Sequence, residues 1–327
     1  MKSVSDMNIA VIGAGRHASA NLHPAITLVG AAIACVLTRS VPSAEIAAKL
    51  LGADRYYDDI EVMLDQETLD AVVISVEPED QEALTIRCLQ AGVAVFVEKP
   101  LGIIAADARR VLAASEKYNV PVMVAFMKRY APAYQRLTEL ISNEKDFGRI
   151  LSIDASFSFA PWTTELRENT FLQQGAIHMV DFLRATFGEA TVVSGISNSQ
   201  KSDIGLVFSL NFSSGAIASV NLTGSQSRSS TNERVTVVGT KAWAEAINLK
   251  SVRYRFADQQ AAQSELWDAK LNVSSLTAHA LELHEQGFYG EVSHFLECVA
   301  AGIAPLPSAA DNVATMMLCD EMIRSVE

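Results

Sequence analysis

His178 stands in the stretch FLQQGAIHMVD (171–181), with Gln174 four residues before it and Asp181 three residues after it. On a helix these spacings place the three side chains on neighbouring turns of one face. An imidazole exchanges a proton near neutral pH, and an amide or carboxylate beside it can orient the ring. The same pattern also fits a core histidine whose ring bonds to Gln174 or Asp181. Both interpretations stay open at this point.

A glycine turn near the start of the chain has the chemistry of a phosphate-binding site. The turn directly follows the apolar run 8–13 and reads Gly13-Ala14-Gly15-Arg16-His17-Ala18. The first glycine permits a tight turn, and the second lets a pyrophosphate approach the backbone at the N-terminus of the next helix. The third position of the pattern tolerates alanine. We predict that a dinucleotide binds at Gly13, Ala14, Gly15, Arg16 and His17; a turn without a ligand is the alternative.

The end of the second apolar run indicates which dinucleotide binds. A site that prefers NAD usually has Asp or Glu there to accept hydrogen bonds from the ribose 2′-hydroxyl. This chain instead has Thr38, Arg39 and Ser40, and an arginine beside two hydroxyls suits a 2′-phosphate. We predict that NADP(H) is preferred and that NAD(H) is possible. An ordinary surface arginine at position 39 is the alternative.

The composition is that of an acidic globular protein. The 327 residues include 38 acidic and 26 basic side chains, for a formal charge of −12, which argues against nucleic acid or an anionic membrane as a partner. The four cysteines form neither a CxxC pair nor a cluster with histidine, which predicts reduced core residues and no metal site. The sequence pattern predicts neither a secretion signal nor a membrane span, and hence a cytoplasmic protein.

The first 125 residues have the pattern of a parallel sheet covered by helices on both faces. Apolar runs without alternation are separated by helix-like segments, which predicts an α/β, doubly wound fold. The predicted strands are 8–13, 31–38, 70–76, 93–98 and 120–126, and the predicted helices include 42–51, 79–91 and 104–118. The length of the chain predicts two domains, which we place at 1–125 and 126–327.

The second domain is predicted to be α+β, with an open, mostly antiparallel sheet. Side chains alternate in 150–160, where serine and aspartate occupy one face and the other carries Leu151, Ile153, Ala155, Phe157 and Phe159. Two hairpins are predicted from the runs 206–212, 216–222, 233–240 and 242–249, and helices are predicted at 131–142, 287–301 and 308–325. Residues 255–285 are polar and are predicted to be rich in loops. Packing of the last helix back on the first domain is an alternative to its place in the second.

The segment VFVEKPLG (95–102) and several other segments resemble the Gfo/Idh/MocA family of oxidoreductases. The resemblance extends to GADRYYDDIEVML (52–64), AVVISVEPEDQEAL (71–84), VAFMKRYAPAY (124–134) and FYGEVSHFLECVAAG (288–302). It implies an N-terminal Rossmann domain and a C-terminal α/β domain whose open sheet often joins subunits. It also implies hydride transfer between NAD(P) and the hydroxyl or carbonyl carbon of a sugar, cyclitol or similar compound.

The family's active-site residues carry over by position, with one departure. Lys99 matches the lysine beside the nicotinamide, at a strand end where parallel sheets bind ligands, and would exchange a proton with the reacting oxygen. His178 and Asp181 match a second motif, in which Gln174 replaces an aspartate, so we predict that a neutral His178 hydrogen-bonds the substrate. The resemblance thus implies that Lys99 and His178 are catalytic, that Val76, Glu98 and Lys99 also contact the cofactor, and that Lys99, Gln174, His178 and Asp181 bind substrate.

Three functions fit these residues. The first is an NADP(H)-dependent oxidoreductase acting on a sugar-like or cyclitol-like alcohol or ketone. The second is a nicotinamide-dependent enzyme that cleaves a glycosidic bond through transient oxidation, and the third is a non-catalytic NADP(H)-binding regulator. The presence of both Lys99 and His178 favours an enzyme. The polar face of the alternating strands predicts a homodimer or homotetramer formed through the sheet.

Overall fold

The computed structural model describes residues 2–160, 163, 165–224, 232–257, 265–268 and 277–327. The chain divides into two compact units. The first contains Met1–Met127 and Phe288–Ala314, and the second contains Lys128–Gly287 and Thr315–Glu327. Each unit is therefore built from two separate segments of the chain.

The described residues form fourteen strands and twelve α-helices. The strands are β1 (Ile9–Ile12), β2 (Ile33–Leu37), β3 (Arg55–Tyr57), β4 (Ala71–Ile74), β5 (Ala94–Val97), β6 (Val122–Val124), β7 (Ile150–Ser158), β8 (Ala190–Ser197), β9 (Gly205–Phe212), β10 (Ile217–Thr223), β11 (Asn232–Gly239), β12 (Ala242–Ile247), β13 (Ser251–Phe256) and β14 (Glu265–Asp268). The helices are α1 (His23–Val29), α2 (Val41–Leu51), α3 (Ile60–Gln66), α4 (Pro78–Gln90), α5 (Ala105–Tyr118), α6 (Pro132–Ser142), α7 (Glu144–Phe147), α8 (Glu168–Thr170), α9 (Ile177–Phe187), α10 (Ala278–Gln286), α11 (Phe288–Ala301) and α12 (Ala309–Arg324). Turns of 3-10 helix lie at Val4–Asp6 and Met127–Tyr130, and π-helical turns lie at Ala18–Leu22 and Phe171–Ala176.

The first unit contains a parallel six-stranded sheet in the order β3-β2-β1-β4-β5-β6. Its central strands are apolar and buried along their whole length, which confirms the doubly wound pattern that the sequence predicts. The five predicted strands and three predicted helices of this unit are present within a few residues. The sequence-based prediction lacks β3 and α3, because β3 has three residues and none of them is buried.

Local signals set the ends of the helices between these strands. Asp59 caps α3 by accepting hydrogen bonds from the backbone N–H groups of Glu61 and Val62, at 2.7 and 3.3 Å. Gly30 and Gly52 end α1 and α2 in the left-handed conformation that glycine adopts without strain. The glycine turn and the polar turn Thr38–Ser40 therefore lie at the carboxyl ends of β1 and β2.

The second unit contains an eight-stranded sheet in the order β14-β13-β12-β11-β7-β10-β9-β8. Only β7 and β10 of these described strands are parallel neighbours, so the predicted mostly antiparallel sheet is confirmed. Ile153, Ala155 and Phe157 are buried on the predicted face. Leu151 and Phe159 are 38% and 39% exposed instead, because they lie near and beyond the ends of β7.

Some elements of the second unit are missing from the sequence-based prediction. The strand β8 has no buried residue and therefore no apolar face to detect. The region 255–285, predicted to be rich in loops, contains β14 and α10; its segments 258–264 and 269–276 lie outside the described residues. The predicted helix at 308–325 corresponds to α12, which begins in the first unit and ends in the second.

None of the helices that the structure describes has the combination of length and apolar character required to cross a bilayer.

Candidate functional site

The glycine turn of the first unit follows β1 and depends on a close approach between two backbone segments. The N–H of Gly13 donates to the carbonyl of Leu37 at 2.9 Å. Its φ is +96°, and a Cβ at this position would lie 2.1 Å from the carbonyl oxygen of Ser75 and 3.1 Å from Cγ1 of Val76. Only glycine fits there, and the structure brings Gly13 and Val76 together as neighbours.

The second glycine of the turn has open space around it. A Cβ on Gly15 would meet no described heavy atom within 4 Å. The carbonyl of Gly15 accepts the N–H of Ser19 at 3.0 Å, so this residue lies at the start of the helical segment. A close backbone contact at Gly13 and open space at Gly15, beside a helix N-terminus, fit the pyrophosphate of a dinucleotide.

The residues after β2 form a short polar turn. Thr38 is 9% exposed and its hydroxyl donates to the carbonyl of Ser40 at 3.0 Å. The hydroxyl of Ser40 donates to that of Ser43 at 3.0 Å. Arg39 is exposed. Two serine hydroxyls and a guanidinium are therefore available at the carboxyl end of β2.

His17 of the glycine turn is joined to Glu98, which directly follows β5. The amide nitrogen of Asn21 donates to Nδ1 of His17 at 3.1 Å, which leaves the hydrogen on Nε2 for donation to Glu98 Oε1 at 2.9 Å. Burial raises the pKa of the Glu98 carboxyl, but His17 and Lys99 outweigh that effect and hold the pKa below its usual value. Glu98 is therefore ionised, although it is buried and only 6% exposed.

Lys99 lies next to this carboxylate, and its backbone N–H donates to Glu98 Oε2 at 3.2 Å. Burial lowers the pKa of the Lys99 amine, and the charge of Glu98 partly opposes that shift. An amine with a lowered pKa can act as a base as well as an acid. Glu291, near the start of α11, is completely buried. The sequence-based prediction did not include this residue, because a lone glutamate on a helix usually faces solvent.

His178 of the second unit lies in the first turn of α9 and is 9% exposed. Asp181, one turn later, is completely buried. Both oxygens of its carboxylate accept hydrogen bonds from the guanidinium of Arg129, at 2.7 Å each, and Oδ1 also accepts the hydroxyl of Thr315 at 3.0 Å. Burial raises the pKa of Asp181 and the bonds from Arg129 oppose that shift. The carboxylate is thus engaged by neighbouring protein groups.

Gln174 lies in the π-helical turn Phe171–Ala176, which immediately precedes α9. The sequence predicts an uninterrupted helix over this stretch, in which Gln174 and His178 would stand one turn apart. A π-helical turn holds one more residue than an α-helical turn and rotates the preceding side chains relative to those that follow. The four-residue spacing therefore does not by itself place Gln174 beside His178. Gln173, the preceding residue, donates to Asp320 Oδ1 at 3.0 Å.

A second buried ion pair lies in the same unit and was not predicted. Lys128 and Glu233 are 3% and 1% exposed, and the amine of Lys128 contacts Glu233 Oε2. The amine also lies 4.7 Å from the ring centre of Phe157 and 5.9 Å from that of Tyr134. Burial lowers the pKa of Lys128 to about 7. Neighbouring residues of one 3-10 turn, Lys128 and Arg129, thus enter two different buried ion pairs.

The cysteines are free thiols, and three of the four are buried. Burial raises the pKa of Cys35 and Cys88 to about 12. Within the described ranges, no group of three His, Cys, Asp or Glu residues is arranged to hold a metal ion.

Two family models match the chain along most of its length. The oxidoreductase family with an NAD-binding Rossmann fold matches residues 7–126, and the Gfo/Idh/MocA C-terminal domain matches residues 134–245. The chain belongs to the Gfo/Idh/MocA oxidoreductase family. The first match lies within the first unit of the structure, and the second match lies within the second unit.

Family members with named activities share part of the sequence. D-apiose dehydrogenase of Paraburkholderia graminis is 30% identical over 201 residues, which are 60% of this chain and 53% of that protein. Inositol 2-dehydrogenase 2 of Saccharopolyspora erythraea is 28% identical over 200 residues, which are 61% of this chain and 59% of that protein. The matched segment thus spans less than two thirds of the length of either relative.

The solved structure of another dehydrogenase has the same fold over nearly the whole chain. Levoglucosan dehydrogenase in complex with NADH and levoglucosan superimposes with a TM-score of 0.84 at 19% identity, covering 98% of this chain and 96% of that chain.

Proposed function

We propose that this protein is an NADP(H)-dependent oxidoreductase that transfers a hydride between nicotinamide and the hydroxyl or carbonyl carbon of a sugar-like or cyclitol-like substrate. The observation that carries the proposal is a lysine of lowered pKa, Lys99, that follows β5 in the same sheet as the glycine turn. Ligands of doubly wound sheets bind beyond the carboxyl ends of the strands. Lys99 therefore occupies a position from which it can reach a reacting oxygen.

Lys99 supplies the proton chemistry of the reaction. The nicotinamide, when bound, accepts a hydride from the substrate carbon or returns it. An alcohol that loses a hydride to become a carbonyl must also lose its hydroxyl proton, and the neutral amine of Lys99 takes that proton. In the reverse direction the ammonium returns the proton to the forming alkoxide. Burial favours the amine and Glu98 favours the ammonium, so Lys99 can alternate between the two states.

Residues of α9 have a different task. We assign to His178 a hydrogen bond to a substrate hydroxyl, in line with its position in the first turn of this helix. Asp181 is engaged by Arg129 and Thr315, so we propose that it holds α9 in place and that substrate does not contact it directly. Gln174 remains a proposed substrate ligand, because an amide pairs well with a sugar hydroxyl.

Arg39 carries the proposed preference for NADP(H). The residues between β2 and α2 contain no carboxylate that would accept bonds from a ribose 2′-hydroxyl. Arg39 is exposed and directly precedes Ser40, whose hydroxyl donates to that of Ser43; a guanidinium near hydroxyls suits a 2′-phosphate. The proposed substrate class is supported by relatives named for D-apiose, a sugar, and for inositol, a cyclitol.

Fluorescence titration with NADPH and NADH tests the cofactor preference. We expect tighter binding of NADPH, and we expect Arg39→Ala to weaken NADPH binding with little effect on NADH. Lys49→Ala is the matched control, because Lys49 is an exposed cation of α2 that pairs with Glu45. Equal or tighter binding of NADH by the unmodified protein would contradict the preference.

Turnover with a panel of sugars and cyclitols tests the reaction. We expect at least one polyol to reduce the oxidised cofactor. The absorbance of the reduced nicotinamide measures this reaction. Release of sugar from glycosides without net reduction would indicate the glycoside-cleaving reaction instead. Cofactor binding without turnover across the whole panel would indicate a regulator.

We also propose that the protein is a homodimer or homotetramer formed through the open face of the second unit's sheet. On this face β7 and β10 place Ser152 beside Ile217 and Asp154 beside Ser219, and Ile217 is 57% exposed. Hydroxyls interspersed with exposed aliphatic side chains suit a partner sheet. Light scattering that shows a monomer at micromolar concentration would contradict this proposal.

A further inference from the structure

Glu291 is a buried carboxyl of the first unit that the proposed reaction does not use. It is completely buried, and neither of its oxygens has a hydrogen-bond partner among the described residues. A buried polar group without a partner is costly and rare. Its presence here requires an explanation in terms of the groups around it.

The face of α11 that carries Glu291 is fixed by two ring contacts. The ring of Phe288, three residues earlier, lies 5.6 Å from that of His17, and the ring of Phe295, four residues later, lies 5.6 Å from that of Phe96 in β5. Residues at these spacings share one helix face. Glu291 therefore faces the end of β5, where Glu98 and Lys99 follow.

Two carboxyls and one amine share this buried region. Glu98 accepts hydrogen bonds from His17 and from the backbone of Lys99, whereas Glu291 accepts none from a described residue. Two neighbouring carboxylates cannot both ionise at low cost beside a single ammonium. The better-solvated member of such a pair keeps the charge, so Glu98 is ionised and Glu291 is protonated. The raised pKa of Glu291, caused first by burial and then by the charge of Glu98, agrees with this assignment.

The other titratable groups around α11 do not supply a charge that would change this balance. Among the described residues, the helix packs against α1, the π-helical turn Ala18–Leu22, the 3-10 turn Val4–Asp6 and, through Phe295, β5. On α1, burial lowers the pKa of His23, which favours the neutral ring. Asp6 is exposed to solvent.

On α11 itself three titratable residues lie within six positions of Glu291, namely Tyr289, His294 and Glu297. Burial lowers the pKa of His294, and its Nε2 accepts the N–H of Leu306 at 3.2 Å, so this ring is neutral. Glu297 is exposed and lies about 120° around the helix from Glu291, at about 100° per residue.

We propose that Glu291 is a reserve counter-ion for Lys99: it is neutral while Glu98 is ionised, and it ionises when the charge of Glu98 is lost. This inference rests on the proposed function only in taking Lys99 as the acid–base group. Glu291 is a positioning residue, because it acts on the reaction through Lys99. The pair of carboxyls would hold one negative charge opposite the lysine whichever member carries it, and so keep the proton affinity of Lys99 constant.

The pH dependence of alcohol oxidation in a set of four proteins tests the proposal. The rising limb of kcat/KM reports deprotonation of Lys99 in the free enzyme. We expect Glu291→Gln to leave the midpoint of this limb in place, because the removed group was already neutral. Glu98→Gln should shift it little, because Glu291 then ionises. The double variant removes both counter-ions and should lower the midpoint by about one pH unit or more.

The outcomes separate charge exchange from a merely structural role. A midpoint shift in Glu98→Gln as large as in the double variant would overturn the proposal, and so would a shift in Glu291→Gln alone. A structural defect would change the rate. It would not produce a midpoint that stays in place in both single variants and shifts in the double variant. Glu297→Gln, on the exposed side of the same helix, is the control and should move neither the limb nor the rate.

Infrared spectroscopy tests the same exchange of charge without turnover. The proposal for Glu291 can therefore be contradicted independently of the proposed reaction. The carbonyl stretch of a protonated carboxylic acid should be present at neutral pH in the wild type and absent from Glu291→Gln. It should also disappear in Glu98→Gln, because Glu291 has then released its proton. Absence of the band from the wild type would contradict the proposal even if the Glu98 variant did not fold.

Discussion

Arg129 and Asp181 form a two-point hydrogen bond, Nε to Oδ2 and Nη2 to Oδ1, at 2.7 Å each. The guanidinium comes from the 3-10 turn that opens the second unit, and the carboxylate comes from the helix that carries His178. The side chain of Asp181 is 1% exposed and that of Arg129 is 16% exposed. This pair therefore fixes the helix of His178 from its buried side.

Asp181→Asn should destabilise the second unit strongly. The change removes the charge that pairs with Arg129 and leaves the guanidinium in a buried site, which typically costs about 3–5 kcal/mol. Urea unfolding followed by circular dichroism measures the loss. Glu139→Gln is the matched control, because Glu139 pairs with Arg136 at the surface, with 66% and 32% of the side chains exposed; such pairs contribute about 0–1 kcal/mol. Similar losses in both variants would contradict the structural role assigned to Asp181.

Alanine at the two glycines of the cofactor turn should separate folding from binding. Gly13→Ala forces a methyl group to within 2.1 Å of the Ser75 carbonyl oxygen and should lower both the thermal midpoint and cofactor affinity. Gly15→Ala meets no described atom within 4 Å and should leave the thermal midpoint almost unchanged. It should still weaken binding, because the methyl group occupies the space proposed for the pyrophosphate. Undiminished NADPH binding by Gly15→Ala would rule out that position for the phosphates.

Replacement of the proposed acid–base group should affect turnover far more than cofactor affinity. Lys99→Ala removes proton transfer, a loss of about 10²–10⁴-fold in rate, while the glycine turn that would hold the pyrophosphate is unchanged. His178→Ala should cost less, because this residue is assigned a hydrogen bond and not the proton transfer. Steady-state rates and fluorescence titration on the same samples provide both measurements. A larger rate loss for His178→Ala than for Lys99→Ala would reverse the assigned roles.

The stability of the first unit should fall with rising pH through the titration of Glu291. Burial raises the pKa of this carboxyl well above its ordinary value of 4.5, a value to which it returns in the unfolded chain. Between the two values the folded state holds a proton that the unfolded state has released, so rising pH favours unfolding. Glu291→Gln removes this term and should gain stability relative to wild type as the pH rises. Urea midpoints measured from about pH 5 to about pH 8 for both proteins check this; parallel curves would contradict it.

The strands that position the glycine turn and Lys99 were predictable because their pattern is local. Each of β1, β4 and β5 is a run of four apolar residues that are all buried, and such runs carry their own signal of burial on both faces. The turn residues after β1 and β2 follow directly from these strands. Gly13, Arg39 and Lys99 therefore lie within two residues of the carboxyl ends of β1, β2 and β5.

The buried ion pairs were not predictable, because their partners are distant in sequence. Lys128 and Glu233 are 105 positions apart, and Arg129 and Asp181 are 52 positions apart. Two adjacent cations after a strand resemble an exposed turn, and only the fold reveals that each one meets a buried carboxylate. Glu291 was not predicted for the same reason, because Glu98 and Lys99 are distant from it in sequence.

The π-helical turn before α9 was hidden for another reason. FLQQGA reads as ordinary helix in composition, and the widened turn depends on how the backbone is hydrogen-bonded, which residue type specifies only weakly. The sequence predicts a continuous helix in which Gln174 lies one turn before His178, and the structure has a π-helical turn at Phe171–Ala176 instead of an α-helical one.

The order in which the first unit is synthesised has a consequence for its maturation. All six strands of its sheet leave the ribosome before α11 exists, yet Phe96 of β5 packs against Phe295 and the N–H of Val124 in β6 donates to the carbonyl of Pro307 at 2.9 Å. A nascent chain therefore carries a sheet with an uncovered aromatic ring and an unpaired edge while the intervening segment is translated. The first unit is completed only after Phe288–Ala314 has been translated, and a polypeptide released before residue 288 lacks the helix that carries Glu291.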